Sequence, residues 1–88
     1  MLKYYGADIC PDCVEAHALL KEKGIAAEFV DITASTTNLK AFLALRDSRP
    51  EFGPVKQAGG IGIPAFVWED GRLELGCRWM SEADCSAA

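Results

Sequence analysis

Cys10 and Cys13 stand three residues apart, with Pro11 and Asp12 between them. Two thiols at this spacing can cycle between a dithiol and an internal disulfide, or supply half of a tetrahedral metal site. Position decides between the two. Pro11 suits the first turn of a helix, where its missing N–H would have had no partner. Cys10 then lies just before a helix N-terminus and Cys13 one turn in. The unpaired N–H groups and dipole of that terminus favour a thiolate on Cys10. Cys13 is close enough to attack a mixed disulfide on Cys10 and resolve it. Asp12 suits the first helical turn, but a carboxylate this near Cys10 also opposes a negative sulfur. His17 follows Cys13 by four residues, so the two share a helix face. With Cys10 they could offer three metal ligands, a fourth coming from Cys77 or Cys85. A lone histidine on a helix reads more simply as a solvated or core-edge residue, and no metal is expected.

The elements that must position these thiols follow from the surrounding sequence. Leu2 to Tyr5 reads as a strand, with Gly6 after it and Ala7 to Cys10 as a loop. The helix runs to about Lys23, with Val14, Ala18, Leu19 and Leu20 as its apolar stripe and Gly24 as its stop. Ala27 to Ile32 reads as a second strand. Thr37 or Asn38 is placed to cap a second helix over Leu39 to Arg49, whose apolar side is Leu39, Phe42, Leu43 and Leu45 or Arg46. Pro50 ends it, and Glu51 to Ala58 adds a further helical turn or two before Gly59-Gly60. Ala65 to Trp68 and Arg72 to Leu75 form a hairpin about the two-residue turn Asp70-Gly71. Ser81 caps a short terminal helix reaching Cys85. The order is β-α-β-α-β-β with that terminal helix, an α/β arrangement on a mixed four-stranded sheet. The first crossover makes a parallel pair, and the hairpin an antiparallel edge.

Bulk properties narrow the partners. Eighty-eight residues, half of them hydrophobic, support one core, hence a single domain over 1–88. A net charge of −4 argues against nucleic acid and against anionic membranes. No stretch approaches the roughly 20 apolar residues of a membrane span. Met1 to Gly6 shows no basic region leading into a long apolar core, so cytoplasmic residence is expected. There, paired cysteines mean redox chemistry or metal binding rather than a staple. Cys77 and Cys85 read as spectators, Arg46 and Arg49 as solvated charges, and Trp68 and Trp79 as core or core-edge packing.

Together these residues resemble the glutaredoxin branch of the thioredoxin superfamily, and in particular its small bacterial members. The resemblance is carried by Tyr4-Tyr5-Gly6 leading to Cys10-Pro11-Asp12-Cys13, by Glu28-Phe29-Val30-Asp31-Ile32, by Leu45-Arg46-Asp47-Ser48-Arg49-Pro50-Glu51-Phe52, and by Gly62-Ile63-Pro64-Ala65-Phe66 leading to Glu69-Asp70-Gly71. It implies a thioredoxin-like fold and a thiol–disulfide oxidoreductase, with Cys10 as nucleophile, Cys13 as resolving thiol, and Pro11 and Asp12 in the catalytic motif. It implies that Pro64 is a cis-proline beside the thiols and that Ile63 offers its backbone N–H and C=O to the substrate, with Gly76 and Cys77 completing the substrate site. The expected partners are a disulfide-containing protein or glutathione, with glutathione or a thioredoxin reductase-type protein as electron donor and no tightly bound cofactor. The chain departs from the family where glutathione's charged ends would be held. Ala7 stands in place of the usual lysine, and Arg78-Trp79 follow Gly76-Cys77. Arg46, Arg49 and Lys56 are the cations available to replace what is missing. A metal-binding module using Cys10 and Cys13, and a non-catalytic interaction domain, are the alternative readings.

Overall fold

The computed structural model describes residues 2–80. The chain runs β1 (Leu2–Gly6), α1 (Pro11–Lys23), β2 (Ala27–Asp31), α2 (Thr36–Ser48), a 3₁₀ turn (Pro50–Phe52), α3 (Gly53–Gln57), β3 (Ala65–Val67) and β4 (Leu73–Leu75). These strands form a mixed sheet in the order β2-β1-β3-β4. β1 pairs in parallel with β2, from Leu2 opposite Ala27 to Gly6 opposite Asp31, and antiparallel with β3. β3 and β4 pair antiparallel. The expected element order and strand senses therefore hold. The terminal helix expected from Ser81 to Cys85 lies outside the described residues, as does Cys85.

Local rules set the limits of α1. It begins at Pro11, and Gly24 ends it in the left-handed conformation at φ 65°. The N–H of Ile25 then returns to the Leu20 carbonyl at 3.0 Å, and that of Gly24 to Lys21 at 3.2 Å, closing the last turn. The inward face differs from the expected stripe. Cys13, Ala16, Leu19 and Leu20 are buried, whereas Val14 is 53% exposed and Ala18 points outward. The reason lies in β1. Gly6 has no side chain, and Cys13 packs into the space this leaves, which sets the phase of the helix.

α2 starts three residues earlier than expected, because its cap is Ser35. The Ser35 hydroxyl oxygen accepts the Asn38 N–H at 3.1 Å. Asn38 instead uses its side-chain amide, donating to the Asp31 carbonyl at 2.9 Å and tying α2 to the end of β2. Of the expected apolar side only Phe42 is fully buried, and Leu39 and Leu43 each remain 38% exposed. The β3–β4 connection also differs. Trp68 N–H donates to the Arg72 carbonyl and Gly71 N–H to the Trp68 carbonyl, both at 3.0 Å. The loop is thus Glu69-Asp70-Gly71, three residues, with Gly71 at φ 91°.

Two apolar clusters result. Alternation along β3 sends Phe66 to one, with Tyr4, Leu19, Leu20, Cys77 and Met80, and Ala65 to the other, with Cys10, Cys13, Phe42, Phe52 and Ile63. Trp68 and Trp79 pack against the first as expected. The second carries the thiols. Arg46, read from sequence as a solvated charge, braces it instead. Its Nε donates to the Ile61 carbonyl and a terminal nitrogen to the Gly60 carbonyl, both at 2.9 Å. This binds α2 to the loop that leads into Ile63-Pro64. Among the described residues no helix is long and apolar enough to cross a membrane.

Candidate active site

Cys10 caps α1 with extended backbone, φ −97° and ψ 121°. Its carbonyl accepts the N–H groups of Cys13 and Val14 at 3.0 and 3.1 Å. Ala7 holds both cysteines through its backbone: its carbonyl accepts the Cys10 N–H at 3.1 Å, and its own N–H donates to Cys13 Sγ at 3.4 Å. Both thiols are free, Cys10 slightly exposed at 8% and Cys13 fully buried.

Burial is the main force that pushes the Cys13 thiol up to about 12. The Ala7 N–H opposes it, while the hydrogen bond to the Cys10 sulfur and the negative charges of Cys10 and Asp12 add to it. The charge of Asp12 thus works on Cys13, a site the sequence reading did not consider. The pair is therefore unequal. Cys13 keeps its proton at neutral pH and donates it to the Cys10 sulfur. Since the folded state binds that proton more tightly than the unfolded chain, the difference opens between the ordinary thiol value of 9.0 and about 12. Iodoacetamide labelling of Cys13, read by mass spectrometry, is expected to stay slow in the folded reduced chain until pH approaches 12. In urea it is expected to set in near pH 9. Equal labelling curves would contradict the burial argument.

Ile63-Pro64 is a cis peptide, as the resemblance implied. Ile63 is buried, yet neither its N–H nor its C=O bonds to another backbone group among the described residues. Ile63 and Cys10 line one cavity of about 300 Å³, with Pro11 and Ile32 among its other walls. Gly76 supports this loop from behind, its N–H donating to the Pro64 carbonyl at 2.8 Å. The side chain of Cys77 turns away from the cavity. Its side chain is fully buried in the cluster around Phe66, is held in a disulfide, and lines no part of the cavity. Chain alternation after β4 turns it to the other core.

The proposed replacement cations are not at the site either. Arg46 is committed to the Gly60 and Ile61 carbonyls, and Arg49 pairs with Glu51 at 2.6 Å. Neither they nor Lys56 line the cavity. His17 sits at the core edge. Its Nδ1 hydrogen-bonds the Tyr4 hydroxyl at 2.7 Å, its Nε2 the Asp8 carboxylate at 3.1 Å, and its ring meets Phe29 edge-on. Among the described residues no group of three or more His, Cys, Asp or Glu side chains is gathered so as to hold a metal ion.

A mixed sheet with a cysteine pair at the start of α1, facing a cis-proline loop, defines a thioredoxin-like α/β protein with a dithiol site. The chain matches the Glutaredoxin family over residues 2–52, a stretch that includes both cysteines and ends before Ile63. An uncharacterised protein of Haemophilus influenzae is 41% identical to it over 69 residues, covering 78% of this chain and 80% of the relative. No solved structure matches it significantly. The chain belongs to the glutaredoxin family.

Proposed function

We propose that this protein is a thiol–disulfide oxidoreductase that reduces disulfides through Cys10 and Cys13. The observation that carries the reading is the unequal pair of free thiols, one reaching the cavity and one buried and proton-bearing behind it. Cys10, as thiolate, attacks one sulfur of a substrate disulfide. A Cys10–substrate disulfide forms, and the other half leaves as a thiolate. The Cys13 thiol then gives up its proton, and its sulfur attacks Cys10. The Cys10–Cys13 disulfide forms, and the second substrate half leaves as a thiolate that takes up a proton. Two electrons have passed from the chain to the substrate. An external thiol, glutathione or a protein dithiol, restores the pair. The cycle suits a reducing compartment such as the cytoplasm.

Pro64 and Ile63 support the first step. The N–H and C=O of Ile63, without a backbone partner among the described residues, can pair with an extended segment on either side of the substrate cysteine, as one rung of a strand ladder. Equilibration of the chain against a graded thiol–disulfide buffer tests the proposal. A single two-electron couple for Cys10 and Cys13 is expected, between about −270 and −180 mV. Failure of the two thiols to form a disulfide across that range would overturn it. Elemental analysis of the same preparation addresses the metal alternative, since stoichiometric zinc or iron would favour a binding module.

A further inference from the structure

The cavity that holds Cys10 has a chemical character that bears on what enters it. Its walls are Ala7, Ile9, Pro11, Ile32, Thr33, Ile61 and Ile63 besides the cysteine, with no ionisable group except the reacting thiol. Two of the isoleucines lie largely in water, Ile9 at 85% and Ile61 at 49% exposure. Large aliphatic side chains held this open beside a reactive sulfur form an apolar surface that folding has left uncovered. Ile32 and Thr33 also line a second hollow of about 380 Å³, which continues over Ser35 and Thr36 to Leu39 and again contains no charged residue. The two have Ile32 and Thr33 as common walls, the trough at Cys10 and the hollow toward Leu39.

The walls of the cavity carry no charged side chain. Asp8 and Asp12 flank the Ile9-Cys10-Pro11 segment in the chain, Asp8 being largely exposed. The cation nearest the loop in bonding terms, Arg46, faces the carbonyls of Gly60 and Ile61. Glutathione carries two carboxylates and one ammonium group. The trough walls offer those carboxylates no cation, so glutathione gains no charge pairing from them.

Resting on the oxidoreductase reading above, we propose that the substrate is a protein disulfide in an extended segment, with its cysteine flanked by uncharged aliphatic residues, rather than glutathione. The substrate backbone pairs with Ile63. One aliphatic neighbour of the substrate cysteine packs between Ile9 and Ile61, and the segment continues over Ile32 toward Leu39. The bonds made and broken are those of the exchange already described. What the trough adds is selection among disulfides.

Two short peptides provide the test, identical in length and both joined through their cysteine to the same leaving thiol. One has leucine and valine beside the cysteine, the other glutamate on both sides. Oxidised glutathione serves as a third substrate. Single-turnover rate constants are measured with the reduced chain. The aliphatic peptide is expected to react about tenfold faster or more than the acidic one and than glutathione, the scale set by burying one aliphatic side chain. The double variant Ile9→Ser with Ile61→Ser is expected to bring the two peptide rate constants toward equality. Both positions are exposed, so folding is not at stake, and circular dichroism verifies this. Equal rates in the unmodified chain, a faster reaction with glutathione, or a preference that survives the double substitution would each overturn the proposal. Absence of reaction with all three disulfides would instead refute the oxidoreductase reading, and the trough with it.

Discussion

Cys10→Ser is expected to abolish disulfide reduction, and Cys13→Ser to arrest it halfway. The two thiols are adjacent but differ in what surrounds them. Cys10 lines the cavity, so removing its sulfur removes the one thiol among the cavity's described lining residues. A hydroxyl does not replace it, because a serine alcohol hardly ionises without an adjacent base. Turnover of a disulfide substrate should fall by roughly a thousandfold or more, to the background of free thiol exchange. Cys13 is fully buried behind Cys10 and out of a substrate's reach. Its replacement by serine, which is close in size, should leave the first exchange intact and remove the second. The substrate half then stays attached to Cys10. A non-reducing gel or intact-mass measurement should show one adduct per chain, released by dithiothreitol, and Cys10→Ser should show none. Normal turnover by Cys13→Ser would mean that an external thiol, not Cys13, resolves the intermediate.

Phe52→Ala is expected to cost about 3–5 kcal/mol of stability. The ring is fully buried and meets Phe42 edge-on, with centroids 5.9 Å apart. It also lies directly beneath Gly62. A Cβ built at Gly62 would come within 2.7 Å of the ring, and Gly62 holds φ 103°. The close approach thus requires glycine on one side and the aromatic face on the other. Removing the ring opens a void where α2, the 3₁₀ turn and the Gly62-Ile63-Pro64 loop meet. For a domain of this size the loss should lower the melting temperature by roughly 15 °C or more in a thermal scan followed by circular dichroism. Leu43→Ala, at a position still 38% exposed, should cost about 1 kcal/mol or less. If both variants melted alike, Phe52 would not be the support of the loop.

Much of this molecule was legible in the linear chain because it depends on neighbours within a turn. Pro11 opens α1 and Gly24 closes it, since one lacks an N–H and the other tolerates positive φ. The helix between β1 and β2 dictates a parallel pair, and the short link around Gly71 an antiparallel one. Cys10 and Cys13 at the head of α1 announced a dithiol, because the spacing and the helix terminus alone bring the two sulfurs together. What tertiary structure decided rests on residues far apart in sequence. The burial that holds a proton on Cys13 comes from other elements, Gly6 of β1 and the cluster around Phe42 and Phe52 among them, and it is Ala16, not Ala18, that faces the core. Arg46 became a brace because folding carried Gly60 and Ile61, fourteen and fifteen residues on, to its guanidinium. Cys77, adjacent in sequence to the glycine that supports Pro64, was turned into the opposite core. No local rule anticipates such outcomes: propensity and spacing act along the chain, while burial and charge pairing are settled by which elements share a core.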